Sequence, residues 1–363
     1  MKGSLLVGRI LIRQISLDGN IHDDVLYNVW IDGGNRKPEA IMEQKVSADW
    51  LALAAEACAD AGIRWRSIAP ITAMDQQFED STHYRNNTVL NIDTQYVLKL
   101  FGPLQQRAYH VERAVLQTLV EHGKFPASRL VAAAETVLPF PYLFMTRVDG
   151  EAPDRYWTGY SVREKLALAT ELGVITRQLH QLPTNELAVV EAQRGGAAQE
   201  IALQQADRIR EIEDAGRWTR GQRDQIIRFV TEEGHQFFDK PPVLTHADLS
   251  HAHIFVARQA GVPAVTGFVD WGGALVGPAE WDIAGHWFWT FSTDGPAMRR
   301  LLAAYYPDGK PERLARRCLA TLFYTFSMHL LWPEFAERIP QTDDIVREMT
   351  ELYFPPEIFG SPD

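Results

Sequence analysis

The sequence predicts an α+β protein in which a strand-rich first portion precedes a longer, mainly helical one, and three observations carry that expectation. Up to about residue 146, short apolar runs bounded by turn residues dominate. Beyond it, apolar residues recur at helical spacing over long windows. The stretch from Val243 to Gly285 interrupts the helices with short apolar runs that each end in polar, titratable residues. With 363 residues and 46% hydrophobic content, the chain has material for two or three structural units.

Charge and cysteine usage bound the partners. The net charge of −11 would repel nucleic-acid phosphates and mildly favours cationic small molecules. Cys58 and Cys318 are the only cysteines, too few for a disulfide framework, so a reducing, cytoplasmic setting is expected. The first apolar run is broken by Arg9 and Arg13, and no window approaches the roughly eighteen apolar residues of a membrane span.

Taken in order, residues 1–46 alternate apolar and polar around Gly19-Asn20 and Asp32-Gly33-Gly34, which predicts an appended β element. Ser47 is placed to cap a helix that stops at Gly62, feeding a strand over 63–71. Two further strands follow, Asn87–Ile92 and Tyr96–Phe101, joined at Asp93-Thr94. Lys99 sits inside the second, where an unpaired ammonium would be costly. Its candidate partner is Glu112, which borders the Val111, Val115, Leu119 stripe of a predicted helix.

An apolar strand is expected over 138–148, running into a turn at Asp149-Gly150. Ser161 and Glu164 form a capping box for a helix reaching Leu182. Two more helices break around Gly216 and carry Asp207, Glu211, Glu213, Asp214, Asp224, Glu232 and Glu233, a solvated face or one wall of a cationic groove. A helix begins near Glu280 with Asp282 in its first turn, where a carboxylate suits the dipole. The remainder is helical.

Between these helices, Ile254–Val256 and Val262–Val265 read as a hairpin that would bring Asp248, His253 and Asp270 to one edge of a small sheet. Two neighbouring aspartates without a nearby cation in sequence call for a metal ion or a transferable proton between them. The order His246-Ala247-Asp248, hairpin, Val269-Asp270-Trp271, then Asp282-Ile283-Ala284 resembles the aminoglycoside phosphotransferase family. That resemblance implies a bilobal protein-kinase-like fold, with a small β-rich N-lobe (47–146), a larger helical C-lobe (147–363) and residues 1–46 as an extra β extension.

It also implies a function: transfer of the terminal phosphoryl group of ATP or GTP to a hydroxyl of a small molecule, foremost an aminoglycoside-like antibiotic. Asp248 would orient or deprotonate the acceptor, with His246 bracing its loop. Asp270 and His253 would hold Mg2+, or Mn2+ instead, and Asp282 would support the loop. Lys99, held by Glu112, would meet the phosphates, and backbone groups of Thr146 and Val148 would meet the base. The phosphate-cradling turn would lie within Asp80–Asn87, because no glycine occurs between Ile71 and Leu98. His253 stands where the family usually has asparagine, and an imidazole is a poorer partner for Mg2+ than an oxygen. Choline-, sugar- or homoserine-like acceptors, a nucleotide-binding pseudokinase and a zinc hydrolase built on His246, Asp248, His251, His253 and Asp270 are the competing readings.

Overall fold

The structure is a computed structural model that describes residues 10–15, 21–27, 50–70, 87–102, 105–121, 125–138, 140–153, 157, 159–183, 188, 192, 197–214, 216, 218–236, 241–325 and 342–361. It divides into two compact units, Met1–Asp49 and Trp50–Asp363. In the first, β1 (Ile10–Ile15) and β2 (Ile21–Tyr27) form an antiparallel hairpin whose register slips between Ile12 and Gln14. The Ser47 cap and the turn expected within Asp80–Asn87 lie outside the described residues, apart from Asn87 itself.

The second unit starts with α1 (Trp50–Asp60) and a five-stranded antiparallel sheet. Its strands are β3 (Ile68–Pro70), β4 (Thr88–Ile92), β5 (Tyr96–Leu100), β6 (Leu130–Ala134) and β7 (Tyr142–Thr146), in the spatial order β3-β4-β5-β7-β6. The predicted strand over 63–71 shortens to three residues, because the chain is first pinned by Asp93, which accepts from the amides of Arg66 and Ser67 at 3.0 and 2.8 Å.

Strand alternation explains where Lys99 goes. Leu98, Leu100, Tyr142 and Phe144 bury against Ala54, Ala57 and Cys58 of α1 on one face of the sheet. The alternate residues Val97, Phe101, Leu143 and Met145 join the larger core on the other face, with α2 (Gln106–Glu121). Lys99, opposite Leu143, has the parity of this second face and meets the buried side of α2.

The helical portion comprises α3 (Val162–His180), α4 (Ala197–Asp214), α5 (Arg220–Gln236), α6 (Glu280–Gly285), a π-helical turn over His286–Thr290, α7 (Gly295–Tyr305), α8 (Leu314–Thr325) and α9 (Ile345–Tyr353). The Ser161 and Glu164 capping box is formed as predicted. Inserted among the helices are two separate two-stranded ribbons: β8 (Val243–Thr245) with β11 (Leu275–Gly277), and β9 (Ile254–Gln259) with β10 (Val262–Phe268). The β9–β10 turn places Ala260 and Gly261 at φ of 50° and 83°, the two positive dihedrals of a type I′ hairpin. Gly267 and Phe268 thus end β10, two residues or more beyond the Val262–Val265 expected from sequence.

The segment after β7 is fastened to this hairpin. Glu151 and Val256 exchange backbone hydrogen bonds, and a Cβ on Gly150 would come within 2.3 Å of the Val256 carbonyl oxygen. Phe268 N–H donates to Pro126 O at 2.9 Å, a second tie from sheet edge to hairpin. Among the described residues no helix is long and apolar enough to cross a membrane.

Candidate active site

Lys99 is the hinge of the site's electrostatics. Its Nζ donates to Glu112 Oε2 at 2.6 Å and to Asp270 Oδ1 at 2.8 Å. Burial alone would lower its pKa, but the two carboxylates outweigh burial and hold it above the ordinary lysine value. Lys99 in turn pulls the Asp270 carboxyl well below the usual carboxylate range against the opposing effect of burial. Glu112 sits on the buried stripe of α2, and the backbone N–H of Trp271 also donates to it, so one carboxylate ties the lysine to the turn that carries Asp270.

That turn is close-fitting. Asp270 has φ 64° and ψ 65°, a left-handed conformation that costs a non-glycine residue about 1–2 kcal/mol. A Cβ on Gly272 would reach within 3.0 Å of Ala108 Cβ, and one on Gly273 within 3.3 Å of Asp248 Cβ, so the glycines let the turn wedge between α2 and the residue expected to be catalytic.

The loop after β8 is held by a single buried carboxylate. Asp282, fully buried, accepts from the amide of His246 through Oδ2 and from that of Ala247 through Oδ1, both at 2.9 Å. Burial opposes its charge, but the hydrogen bond from His180 and those from the loop amides keep the carboxyl below its ordinary value. Ala247 is thereby kept at φ 60°, and Asp248 follows it outward with 59% of its side-chain surface open to water. Neighbouring protein atoms still desolvate it enough to raise its pKa, which fits a carboxylate in the floor of a concavity.

His246 is fully buried, donates through Nε2 to the Val269 carbonyl at 2.9 Å and packs 4.5 Å from the Trp271 ring. Burial lowers its pKa, so it is a neutral brace between the two loops. His253 donates through Nδ1 to the Asp248 carbonyl at 2.6 Å, which leaves the Nε2 lone pair facing Asp270 Oδ2 at 3.9 Å. An imidazole with its other nitrogen tied to a carbonyl is set up as a ligand, so His253 Nε2 and Asp270 Oδ2 are the atoms that would hold a divalent ion. The pair therefore fits a divalent ion that takes its remaining ligands from elsewhere.

His251 does not join them. Its Nδ1 donates to the Trp289 carbonyl at 3.1 Å, and among the described residues no three His, Cys, Asp or Glu side chains converge as a metal cage. Thr146 ends β7, and Val148 lies two residues beyond it. The Thr146 amide donates to Arg129 O and that of Arg147 to Gln95 O, both within 2.9 Å, while Val148 is buried where a Cβ on Gly267 would touch it. Two acidic residues of the inserted helices have local partners, Asp207 with Arg210 and Glu211 with Arg208, each three residues away.

His180 is the last residue of α3 and Tyr305 the last of α7. The structure joins them behind Asp282, with His180 Nε2 at 3.0 Å from Asp282 Oδ2 and Nδ1 at 2.6 Å from the Tyr305 hydroxyl. No local pattern links residues 125 positions apart.

A profile of the phosphotransferase enzyme family matches residues 76–316, well over half of the chain. The chain belongs to that family. As a member it is an enzyme, a phosphotransferase with an alcohol group as acceptor. No curated protein matches it. Among solved structures it is similar to the GDP complex of wild-type aminoglycoside 2′-phosphotransferase-IIIa, with 16% identity, a TM-score of 0.58 and coverage of 85% of this chain and 100% of that one. It is also similar to aminoglycoside phosphotransferase APH(3″)-Id from Streptomyces rimosus, at 19% identity and TM-score 0.51, covering 78% and 99% of the two chains. Macrolide 2′-phosphotransferase type I gives 16% identity and TM-score 0.50 over 80% and 95%. At these identities the likeness is one of fold.

Proposed function

We propose that this phosphotransferase moves the terminal phosphoryl group of ATP or GTP to a hydroxyl on a small molecule, with an aminoglycoside-like antibiotic as the first acceptor to test. The observation that carries the reading is the convergence on Lys99: a cation from β5, held by Glu112 of α2, already in contact with Asp270 from the loop after β10. In this reading residues 47–146 form a nucleotide lobe and 147–363 an acceptor lobe, with the triphosphate lying in the cleft between them.

Lys99 would neutralise phosphate oxygens, and Glu112 keeps it from swinging away. Asp248 would accept a hydrogen bond from the acceptor hydroxyl, orienting its lone pair and taking its proton as the new bond forms. Its partial desolvation and raised pKa bring it closer to the basicity such a role needs. His246 and Asp282 fix the loop so that Asp248 loses little entropy on engaging the acceptor. Asp270 Oδ2 and His253 Nε2 would hold the divalent ion, whose contribution when bound is to offset charge on the phosphates. A base edge would meet the backbone near Val148, because the amides of Thr146 and Arg147 are engaged within the sheet.

The deciding experiment is an acceptor panel with radiolabelled ATP and GTP, set with aminoglycosides, macrolides, sugars and amino alcohols. Phosphorylation of an aminoglycoside confirms the reading in full. Transfer to a macrolide or a metabolite replaces the acceptor, and nucleotide binding without transfer to any of them replaces catalysis by a binding role.

A further inference from the structure

The geometry points to Tyr305 as a positioning residue for Asp248, acting through His180 and Asp282. The inference rests on the proposed role of Asp248 and extends it to a helix that carries none of the residues expected to react.

Donors and acceptors fix the direction of each contact. Both oxygens of Asp282 receive backbone N–H groups, Oδ2 from His246 and Oδ1 from Ala247, so the group acts as a carboxylate acceptor on both sides. A third partner on Oδ2, His180 Nε2 at 3.0 Å, must therefore donate. In the neutral imidazole with its proton on Nε2, His180 Nδ1 carries only a lone pair, and the Tyr305 hydroxyl 2.6 Å away donates to it. The polarity of the whole chain is thus set: Tyr305 donates to His180 and His180 to Asp282, which accepts in turn from the two amides that keep Ala247 left-handed ahead of Asp248. All of it lies in the interior, with Asp282 fully buried and His180 and Tyr305 each 8% exposed, so water does not readily substitute for a lost partner.

Helix packing holds the far end still. A Cβ on Gly173 of α3 would come within 2.4 Å of the Leu301 carbonyl oxygen and 2.9 Å of Ala304 Cβ on α7, so the glycine brings the two helices into backbone contact. Asp294 caps α7 by accepting from the Ala297 amide. Tyr305, the last residue of that helix, meets the His180 ring edge to face at 5.4 Å. The imidazole is thereby fixed in rotation as well as in tautomer. A tilted imidazole would pull Asp282 off one loop amide and let Ala247 relax out of its strained conformation.

Three variants test this in the full-length enzyme: Tyr305→Phe, His180→Leu and His180→Gln, the last of which keeps a donor near the Nε2 position. Hydrogen exchange of the peptide spanning 244–250 reads the loop directly, and ATP- or GTP-dependent turnover reads its consequence. His180→Leu is expected to speed exchange of the His246 and Ala247 amides and to lower kcat by about a hundredfold, Tyr305→Phe by about three- to tenfold, as the loss of one buried hydrogen bond allows. The nucleotide KM stays within about twofold in all three, and His180→Gln recovers at least about tenfold over His180→Leu. Unchanged loop exchange in both His180→Leu and Tyr305→Phe overturns the inference. Faster exchange with undiminished kcat leaves the linkage standing and removes Asp248 as the group that acts on the acceptor.

Discussion

Lys99 and Asp270, 171 residues apart in sequence, share a hydrogen-bonded ion pair of 2.8 Å, and Glu112 completes it from the opposite side at 2.6 Å. The lysine thus offsets two carboxylates at once. Replacing it with methionine keeps most of its volume but leaves both uncompensated. We expect Lys99→Met to lose about 3 kcal/mol of stability in denaturant titration, mostly through the buried Glu112, and to lose stabilisation by nucleotide. A variant as stable as wild type would show that the pair contributes no net stability.

The same cluster sets a pH dependence. Asp270 is depressed in the folded protein, so its contribution is present above the ordinary aspartate value near 3.9 and is lost as pH falls toward its lower folded value. Lys99 is raised, so its contribution is complete below about 10.4 and is lost as pH rises through its folded value. Melting temperature should therefore fall at both extremes, and the acid and alkaline losses should both shrink in Lys99→Met. Calorimetry across pH 3 to 11 measures it.

Asp248 differs from Asp270 in sign. Its carboxyl is raised by desolvation, so the folded state disfavours the charge that the reaction needs. Asp248→Asn should abolish turnover, a loss of at least about a hundredfold, with nucleotide affinity within about tenfold. The same change should raise the melting temperature at neutral pH by a degree or two, because a neutral amide sheds that desolvation cost. The acid limb of wild-type kcat should lie above the ordinary carboxylate range. Retained phosphoryl transfer by the variant would remove Asp248 as the acceptor base.

Much of this geometry was legible before folding because it depends on local rules. Strand parity sent Lys99 to the face of α2, the stripe of Val111, Val115 and Leu119 placed Glu112 there, and Asp282 at the start of a helix was recognisable from Gly277-Pro278 onward. The left-handed turns at Ala247 and Asp270 were not legible, since alanine does not signal φ above zero, aspartate does so only weakly, and both are held by distant partners. Nor was the Tyr305–His180 contact, which arises only when α3 and α7 pack across Gly173. Separate ribbons in place of one small sheet have the same origin: β8 finds β11, on the far side of the hairpin.

Gly150 is where backbone freedom and packing coincide. Its φ is 93°, and a Cβ there would lie 2.3 Å from the Val256 carbonyl oxygen, a backbone atom that cannot turn aside. Gly150→Ala should cost at least about 2 kcal/mol and break the Glu151–Val256 bridge between the end of β7 and the hairpin. In the proposed reading, with the nucleotide between residues 47–146 and 147–363, nucleotide KM rises along with the loss of stability. Thermal melts and nucleotide titration separate the two effects.

His253 has its Nδ1 tied to the Asp248 carbonyl and its Nε2 facing Asp270 Oδ2 across 3.9 Å. A nitrogen donor at this position suits Mn2+ better than Mg2+, which prefers oxygen ligands in strict octahedral array. His253→Asn replaces the nitrogen with an amide oxygen of similar reach. It should preserve or raise turnover with Mg2+ while lowering the ratio of Mn2+- to Mg2+-supported activity by about threefold or more, a modest ligand effect. Nitrogen hyperfine coupling on bound Mn2+, present in wild type and absent in the variant, gives a readout independent of rate. A folded His253→Asn protein that is inactive with both ions would mean that the imidazole does more than hold a metal, and its bond to the Asp248 carbonyl would be the place to look.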